Sequence, residues 1–502
     1  MTSDAPRLRA LPFWGQIAVA LGAGGLGALA HAPFNVTPAI LAPLITGFVC
    51  LSLSRTTGRA LILGWALGFG YFISTMTWIT APFQVDAANT AWMAPFALVL
   101  LGIGMGLFWA TALAFARWAG GQPWVLMLAW TGAELLRAYL FTGFPWASPS
   151  QALVNGLAGQ GLAWLGPHGL MLALTGVAAL IATARWVGAA MLAAAALLSS
   201  LSPRGPASDL TDHTIRLIQP NAPQDEKWDP ARIPIFVNRQ IDYSAAGPVP
   251  DLIVWPETAL PYLLENAQPV FDVIADAARG APVVLGIQRR SDAGYFNSLV
   301  TLNAAGQVTQ TYDKHHLVPF GEYMPLPGLF RRLGIRALAE RADSGYVAGP
   351  GPQLLDMGAL GTALPLICYE AVFAHDVGAA PARPSFLMQI TNDAWFGLRS
   401  GPQQHLAQAR MRAIEQGLPL IRAANTGISA VIDPKGRITA ALNLNEPGYI
   451  DATLPAAGPP TLYSRTGDLP WTLLILAGLI GAVLHRARTR RTAGIDAPAP
   501  GA

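Results

Sequence analysis

Charge is what this chain has least of. Only 12% of its 502 residues are Asp, Glu, Lys or Arg, against 52% hydrophobic, and a soluble protein usually carries about twice that share of charge. A single soluble domain and a disordered chain are thereby excluded. Two cysteines exclude a disulfide scaffold. A net charge of +3, dispersed along the sequence, excludes a nucleic-acid binder. Acids are missing from one region above all: residues 1–204 hold only Asp4, Asp86 and Glu134, residues 468–502 hold only Asp468 and Asp496, and all the rest of the 29 lie in 205–467. The low average therefore hides two kinds of chain.

What fills the acid-poor part is long apolar runs. No charge separates Arg9 from Arg55, and the cluster His31–Pro38 splits that stretch in two. Further runs lie at 60–80, 90–116, 123–141, 160–184 and 186–202, with a last one at 469–485. A bilayer core takes about 17–25 helical residues, so seven spans are expected before the polar region and an eighth after it. Arg7 and Arg9 ahead of the first run resemble a signal peptide, but the runs that follow favour a retained anchor. Arginine then sets the orientation, because basic residues gather in cytoplasmic loops. Arg7, Arg9, Arg55, Arg59, Arg117, Arg185, Arg486, Arg488, Arg490 and Arg491 all fall on one side, while the opposite loops, 81–89 and 142–159, have none. The expected layout is a membrane domain over 1–204, an exterior domain over 205–467, a closing span over 468–487 and a cytoplasmic tail over 488–502. Glu134 and Arg137, three apart on one helix face, read as a helix-packing ion pair.

The exterior segment is long enough for one substantial domain. Its apolar runs are short: Thr214–Ile218, Leu252–Trp255, Val283–Ile287, Leu299–Leu302, Leu364–Ile367, Phe386–Ile390 and Ser429–Ile432. Flush runs of this kind fit strands buried on both faces. Helical stretches at Pro269–Arg279 and Pro402–Gln416 and turns at Asn303–Gly306 and Asp433–Gly436 complete an α/β pattern, without internal sequence repeats.

Scarcity narrows the candidates for chemistry. Cys50 lies inside an apolar run and reads as a small buried hydrophobe. Cys368 is the one thiol of the exterior domain and closes the strand Leu364–Ile367; inert burial and a nucleophile are both open from position alone. Glu257 closes the strand Leu252–Trp255 in the same way, and the strand ends of one sheet are expected to converge on one edge, where α/β sites form. Lysine occurs three times. Lys227 and Lys435 sit in charged loop and turn sequences and read as ordinary, whereas Lys314 occupies the dense polar and aromatic segment Tyr312–Tyr323. The eight histidines show no zinc spacing. His315 and His316, directly after Lys314, are expected to be structural.

Glu257, Lys314 and Cys368 in this order resemble the nitrilase, or carbon-nitrogen hydrolase, superfamily. The strings that carry the likeness are Trp255-Pro256-Glu257-Thr258, Lys314 with Leu317 through Tyr323, Ile367-Cys368-Tyr369-Glu370, and Asn392 through Gly397. Joined to seven spans before and one after, the chain resembles the apolipoprotein N-acyltransferase family over nearly its whole length. The resemblance implies a four-layer αββα sandwich on a membrane bundle in the cell inner membrane, with the catalytic domain on the periplasmic face. It implies that Glu257 is the general base, that Cys368 is the nucleophile, and that Lys314 and the N–H of Tyr369 hold the oxyanion. Glu322 and Glu370 would orient the lysine and the loops around the thiol, and Trp228 would stand near the substrate entrance. A neighbouring ammonium is expected to lower the thiol pKa. The implied partners are a phospholipid donor, typically phosphatidylethanolamine, and diacylglyceryl apolipoproteins, met by a monomer that needs no metal or other cofactor. The apolar loop Tyr323–Phe330, with Arg331, Arg332 and Arg336 behind it, is expected to reach the lipid interface. Two rivals remain: a membrane-anchored amidase using the same triad, and a transporter or receptor in which Cys368 is inert.

Overall fold

Uncharged runs of Ala, Leu, Gly and aromatic residues fold as helices, because a helix satisfies its own backbone where water is scarce. The computed structural model describes residues 10–183, 207–325 and 345–495. The chain divides into two units, one of Met1–Thr80, Thr90–Arg204 and Arg465–Ala502, the other of Ala81–Asn89 and Gly205–Ser464.

In the first unit the longer helices are Phe13–Leu26, Leu41–Leu53, Thr57–Thr75, Ala94–Trp118, Pro123–Tyr139, Leu162–Ala182 and Leu469–Ile495. Small residues let them touch backbone to backbone. A Cβ on Gly24 would lie 2.1 Å from the Leu67 carbonyl oxygen, and one on Gly70 would lie 2.2 Å from that of Leu21, so the helices Phe13–Leu26 and Thr57–Thr75 meet through matched glycines. Four helices among the described residues are long and apolar enough to cross a membrane: Phe13–Ala30, Ala87–Trp118, Leu157–Ala182 and Leu469–Thr489. The pair Thr57–Thr75 and Thr77–Gln84, bent by 62°, makes a fifth if it is one span. This count falls short of the expected eight for identifiable reasons. Thr37–Leu53 is a shorter apolar helix, Pro123–Tyr139 has 17 residues and carries Glu134 and Arg137, and the run 186–202 lies outside the described residues. The Glu134–Arg137 pair is buried and fully engaged: Trp109 Nε1 donates to Glu134 at 2.8 Å, while Arg137 donates to the carbonyls of Phe144 and, at 2.8 Å, Trp146. It therefore pins a loop as well as joining two turns of helix.

The second unit holds two six-stranded sheets. The first runs in the order β12-β1-β2-β3-β4-β5, with β1 Leu210–Gln219, β2 Leu252–Val254, β3 Val283–Ser291, β4 Gly294–Leu302, β5 Val308–Asp313 and β12 Gly448–Pro455. The second runs β11-β10-β9-β8-β7-β6, with β6 Leu355–Asp356, β7 Thr362–Ile367, β8 Phe386–Thr391, β9 Leu420–Ala424, β10 Ala430–Ile432 and β11 Ile438–Ala441. Each sheet has three adjacent parallel strands, β1-β2-β3 and β7-β8-β9, continued by two antiparallel strands and closed at the other edge by one more. One architecture thus occurs twice without a sequence repeat. Residues of both sheets, among them Leu217, Val254, Leu299, Ile367, Met388 and Ile421, share one buried core. The other face of the first sheet packs on the helices Ile233–Ala245 and Gln268–Ala278, and that of the second on Gly401–Gln416. Burial on both faces explains why the strands read as flush apolar runs.

Candidate active site

Three segments leave the sheets at the same place. Glu257 follows β2 and Lys314 follows β5 in the first sheet, whereas Cys368 follows β7 in the second. The sequence expectation of one sheet edge is corrected here: the site is assembled across two sheets, each supplying part of it.

Close backbone approach places Glu257. A Cβ on Gly286 of β3 would stand 2.5 Å from the Thr258 nitrogen and 2.6 Å from the Glu257 Cα, so only glycine admits this segment. The Gly286 N–H donates to Pro256 and its carbonyl accepts from Ala259, fixing the turn in which Thr258 takes a left-handed φ of 45°. The Glu257 side chain is buried; Oε1 accepts from Asn297 Nδ2 at 2.7 Å and Oε2 from the Asn392 N–H at 2.7 Å.

Lys314 is 1% exposed. Its ammonium donates to Glu322 Oε1 at 2.8 Å and stands 3.7 Å from Glu257 Oε1. Burial alone would push its pKa down, but the two carboxylates, Glu322 first, overcome that and hold it above the usual lysine range. Glu322 Oε2 accepts from the Val318 N–H at 2.8 Å, and Asn297 Nδ2 reaches Glu322 at 3.1 Å as well as Glu257. These three hydrogen-bond partners of the Glu322 carboxylate are all donors.

Cys368 takes a left-handed φ of 53° at the junction between β7 and a short 3₁₀ turn. Such a conformation is rare for a side chain with a Cβ and marks a strained turn. The thiol is buried rather than accessible, and its pKa is corrected in direction too. Burial and then the Glu257 carboxylate push it well above the ordinary thiol range, while Lys314 and a hydrogen bond with Thr391 pull against them and lose. The resting residue is a thiol.

Glu370, fully buried, ties the segments together. Its carboxylate accepts from the Ile367 N–H at 2.6 Å, the Tyr312 hydroxyl at 2.8 Å and the N–H groups of His315 at 2.8 Å and His316 at 3.3 Å. Tyr312, His315 and His316, which flank Lys314 on both sides, are thus strapped through Glu370 to the residue before Cys368. His315 Nδ1 lies 2.7 Å from Glu370; burial would lower its pKa, yet hydrogen bonds to the carboxylates of Asp376 and Glu370 raise it to about 9. His316 stacks on Phe373 and bonds Asp376 at 2.6 Å. Tyr369 packs its ring on His316 and Phe373. Trp228 is 41% exposed, with the Lys227 ammonium 5.0 Å from its ring. In the loop expected at the lipid interface, residues 326–330, together with Arg331, Arg332 and Arg336, lie outside the described residues.

Three participants escaped the sequence reading. Asn297 and Gln389 are buried polar residues in strands that bury most of their side chains, a placement that costs free energy unless a partner is met, and their polarity was the available signal. Lys227 looked ordinary, yet it is buried, donates to the Glu257 carbonyl at 3.3 Å, and has a pKa pushed down by burial to about 8.

A buried carboxylate, ammonium and thiol in this arrangement can move a proton from sulfur to carboxylate beside a fixed positive charge, which is the chemistry of acyl transfer through a thioester. Comparison with known proteins decides the family. Residues 218–458 match the model of the carbon-nitrogen hydrolases, and residues 23–180 that of the apolipoprotein N-acyltransferase N-terminal domain. The apolipoprotein N-acyltransferase of Rhodopseudomonas palustris is 36% identical over 94% of this chain and 96% of its own length. That of Bradyrhizobium diazoefficiens is 39% identical over 95% and 96%. This chain belongs to the apolipoprotein N-acyltransferase family. Among solved structures, an amidase from Nesterenkonia sp. is similar at 21% identity and a TM-score of 0.36, over 50% of this chain and 94% of that one. As a member of the N-acyltransferase family the chain is an acyltransferase and a membrane protein, with several candidate spans among its described residues.

Proposed function

We propose that this enzyme carries an acyl chain from a phospholipid, with phosphatidylethanolamine as donor, through a thioester on Cys368 to the α-amino group of a diacylglyceryl-cysteine at the start of an apolipoprotein. The observation that carries the reading is the buried Lys314 ammonium, 2.8 Å from Glu322 and 3.7 Å from Glu257, in the same electrostatic cluster as the Cys368 thiol.

The steps follow from that charge arrangement. Because the thiol pKa is held high, the proton leaves as sulfur attacks, and Glu257 receives it. This transfer moves negative charge from carboxylate to substrate without changing the total, so the site needs no new counter-ion. The tetrahedral oxyanion lies against Lys314 and the Tyr369 N–H. On collapse the bond between the acyl carbon and the glycerol oxygen breaks, Glu257 returns the proton to that oxygen, and a lysophospholipid leaves. In the second half the amine attacks the thioester, Glu257 takes a proton from nitrogen, and sulfur regains one as it departs. Glu322 keeps the lysine in place, and Glu370 keeps its segment against the nucleophile turn. Trp228, half exposed at the rim, is assigned to substrate contact.

The layout that suits both lipid substrates is a monomer with eight spans in the inner membrane, residues 205–467 on the periplasmic face and 488–502 in the cytoplasm. The ten arginines on one side of the apolar runs support that orientation. Alkylation of single cysteines placed at the exposed Thr142 and Thr489 with a membrane-impermeant maleimide, in Cys50→Ala, Cys368→Ala cells, tests it. Labelling at position 142 without permeabilisation, and at 489 only with it, is expected; the reverse pattern overturns the orientation.

A further inference from the structure

The Cys368 carbonyl and the Tyr369 N–H belong to one peptide unit, and the carbonyl end of that unit meets a buried polar chain. Gln389 Nε2 donates to the Cys368 carbonyl at 3.0 Å. The other end of the same amide, Gln389 Oε1, accepts from Arg422 at 2.5 Å. The orientation of Gln389 is dictated by chemistry: a guanidinium only donates and a carbonyl only accepts, so the amide has one way to lie between them. Arg422 also binds Asp393 at 2.5 Å, and Asp393 accepts from the Thr391 hydroxyl at 2.9 Å. Asp393 stands 2.9 Å from His405 Nδ1, and His405 Nε2 lies 3.1 Å from Gln389 Nε2 and 3.1 Å from the Cys368 carbonyl. Burial, and then Arg422, push the His405 pKa down, and the ring spans the cluster, with Nδ1 on Asp393 and Nε2 beside the Gln389 amide and the Cys368 carbonyl. Gln389, His405, Asp393 and Arg422 are all fully buried.

We propose that Gln389 is a positioning residue that relays the charge of Arg422 through two amides in series to the oxyanion-binding N–H of Tyr369. A hydrogen bond at the oxygen end of an amide strengthens donation from its nitrogen end. Arg422 does this to Gln389, and Gln389 does it to the Cys368–Tyr369 peptide. The same hydrogen bond holds that peptide in the orientation set by the left-handed Cys368. The guanidinium itself never touches substrate. The inference rests on the proposed function above, in which Cys368 is the nucleophile and the Tyr369 N–H faces the oxyanion.

The test separates oxyanion support from presentation of the thiol. Gln389→Glu keeps the size and the Arg422 partner while presenting lone pairs to the Cys368 carbonyl; Gln389→Met removes the donor at similar volume. Each is purified with its membrane segments in detergent, and two rates are measured at Cys368: thioester formation from phospholipid, followed by intact mass, and alkylation by iodoacetamide, which passes through no oxyanion. Removing one oxyanion donor outright costs about a hundredfold or more in rate, so weakening one is expected to lower kcat for thioester formation about tenfold. KM for phospholipid and the alkylation rate should stay within about threefold of wild type. Acylation and alkylation falling in parallel, unchanged acylation, or failure of both variants to fold would overturn the relay and leave the cluster a purely structural cage. Cys368→Ala run alongside tests the underlying reading: acyl transfer that survives there sinks the nucleophile assignment, whatever Gln389 does.

Discussion

Replacing Glu322 by Gln tests the electrostatics of the site more sharply than removing the nucleophile, because the substitution changes one atom and no volume. Three donors converge on this carboxylate: Lys314 Nζ at 2.8 Å, Asn297 Nδ2 at 3.1 Å and the Val318 N–H at 2.8 Å. They use both oxygens, so a carboxamide must turn its NH₂ toward at least one of them, whichever way it lies. At an effective dielectric constant of about 20, unit charges 2.8 Å apart attract by about 6 kcal/mol and at 3.7 Å by about 4.5 kcal/mol. Glu257 is therefore left as the main counter-charge of Lys314. The ammonium should shift toward it, tying up the proposed base and withdrawing from the oxyanion. Breaking a buried pair by removing one partner costs about 3–5 kcal/mol, and misplacement of about 1 Å costs about a hundredfold in rate. Glu322→Gln should thus lower the melting temperature of the exterior domain and cut single-turnover acylation of Cys368 at least about a hundredfold, with Glu322→Asp intermediate. The assay is intact mass of the protein against time after mixing with phospholipid vesicles. Acylation within about threefold of wild type in a fully folded Glu322→Gln variant would refute the reasoning.

The other predictions concern separate parts of the site. Gly286→Ala would set a Cβ 2.6 Å from the Glu257 Cα; displacement of the base should lower kcat for thioester formation about a hundredfold with little change in KM, and unchanged kcat would show that the contact relaxes elsewhere. Lys314→Arg should abolish transfer, since a guanidinium is larger and directs its charge differently; near-normal rates would return Lys314 to a structural role. With the thiol pKa pushed up by burial and Glu257, alkylation of Cys368 by iodoacetamide should keep rising with pH from about 7 to about 10, and a plateau near neutrality would contradict that. His315, raised from 6.5 to about 9, gives stability that is complete below pH 6.5 and is lost as pH rises toward 9. Thermal scans should show that loss in wild type and a flatter profile in His315→Gln; identical profiles would remove His315 as its source.

The division into an acid-poor helical part and an α/β part was legible because it is a matter of composition, and no tertiary contact can change composition. Strands such as Leu364–Ile367 and Phe386–Ile390 were legible for a related reason: burial on both faces leaves an apolar run that names itself. The number of spans was less so, since length and apolarity of a run do not reveal a bend such as the 62° break after Thr75. The joining of two sheets at one site was also hidden, because parallel strands pair through long crossovers that local patterns do not encode. Glu257, Lys314 and Cys368 stood out through scarcity and position. Gly286, Asn297 and Gln389 did not, because each acts through a contact that exists only once the sheets are assembled.

The central claim is a covalent acyl chain on Cys368. Incubation of the purified enzyme with phosphatidylethanolamine of defined chain length, followed by intact-mass and peptide analysis, measures it directly. The account predicts one acyl adduct on Cys368, absent from Cys368→Ala, that persists in water and is discharged onto a diacylglyceryl-cysteine peptide. No adduct, or an adduct that water clears as fast as the peptide does, would contradict it.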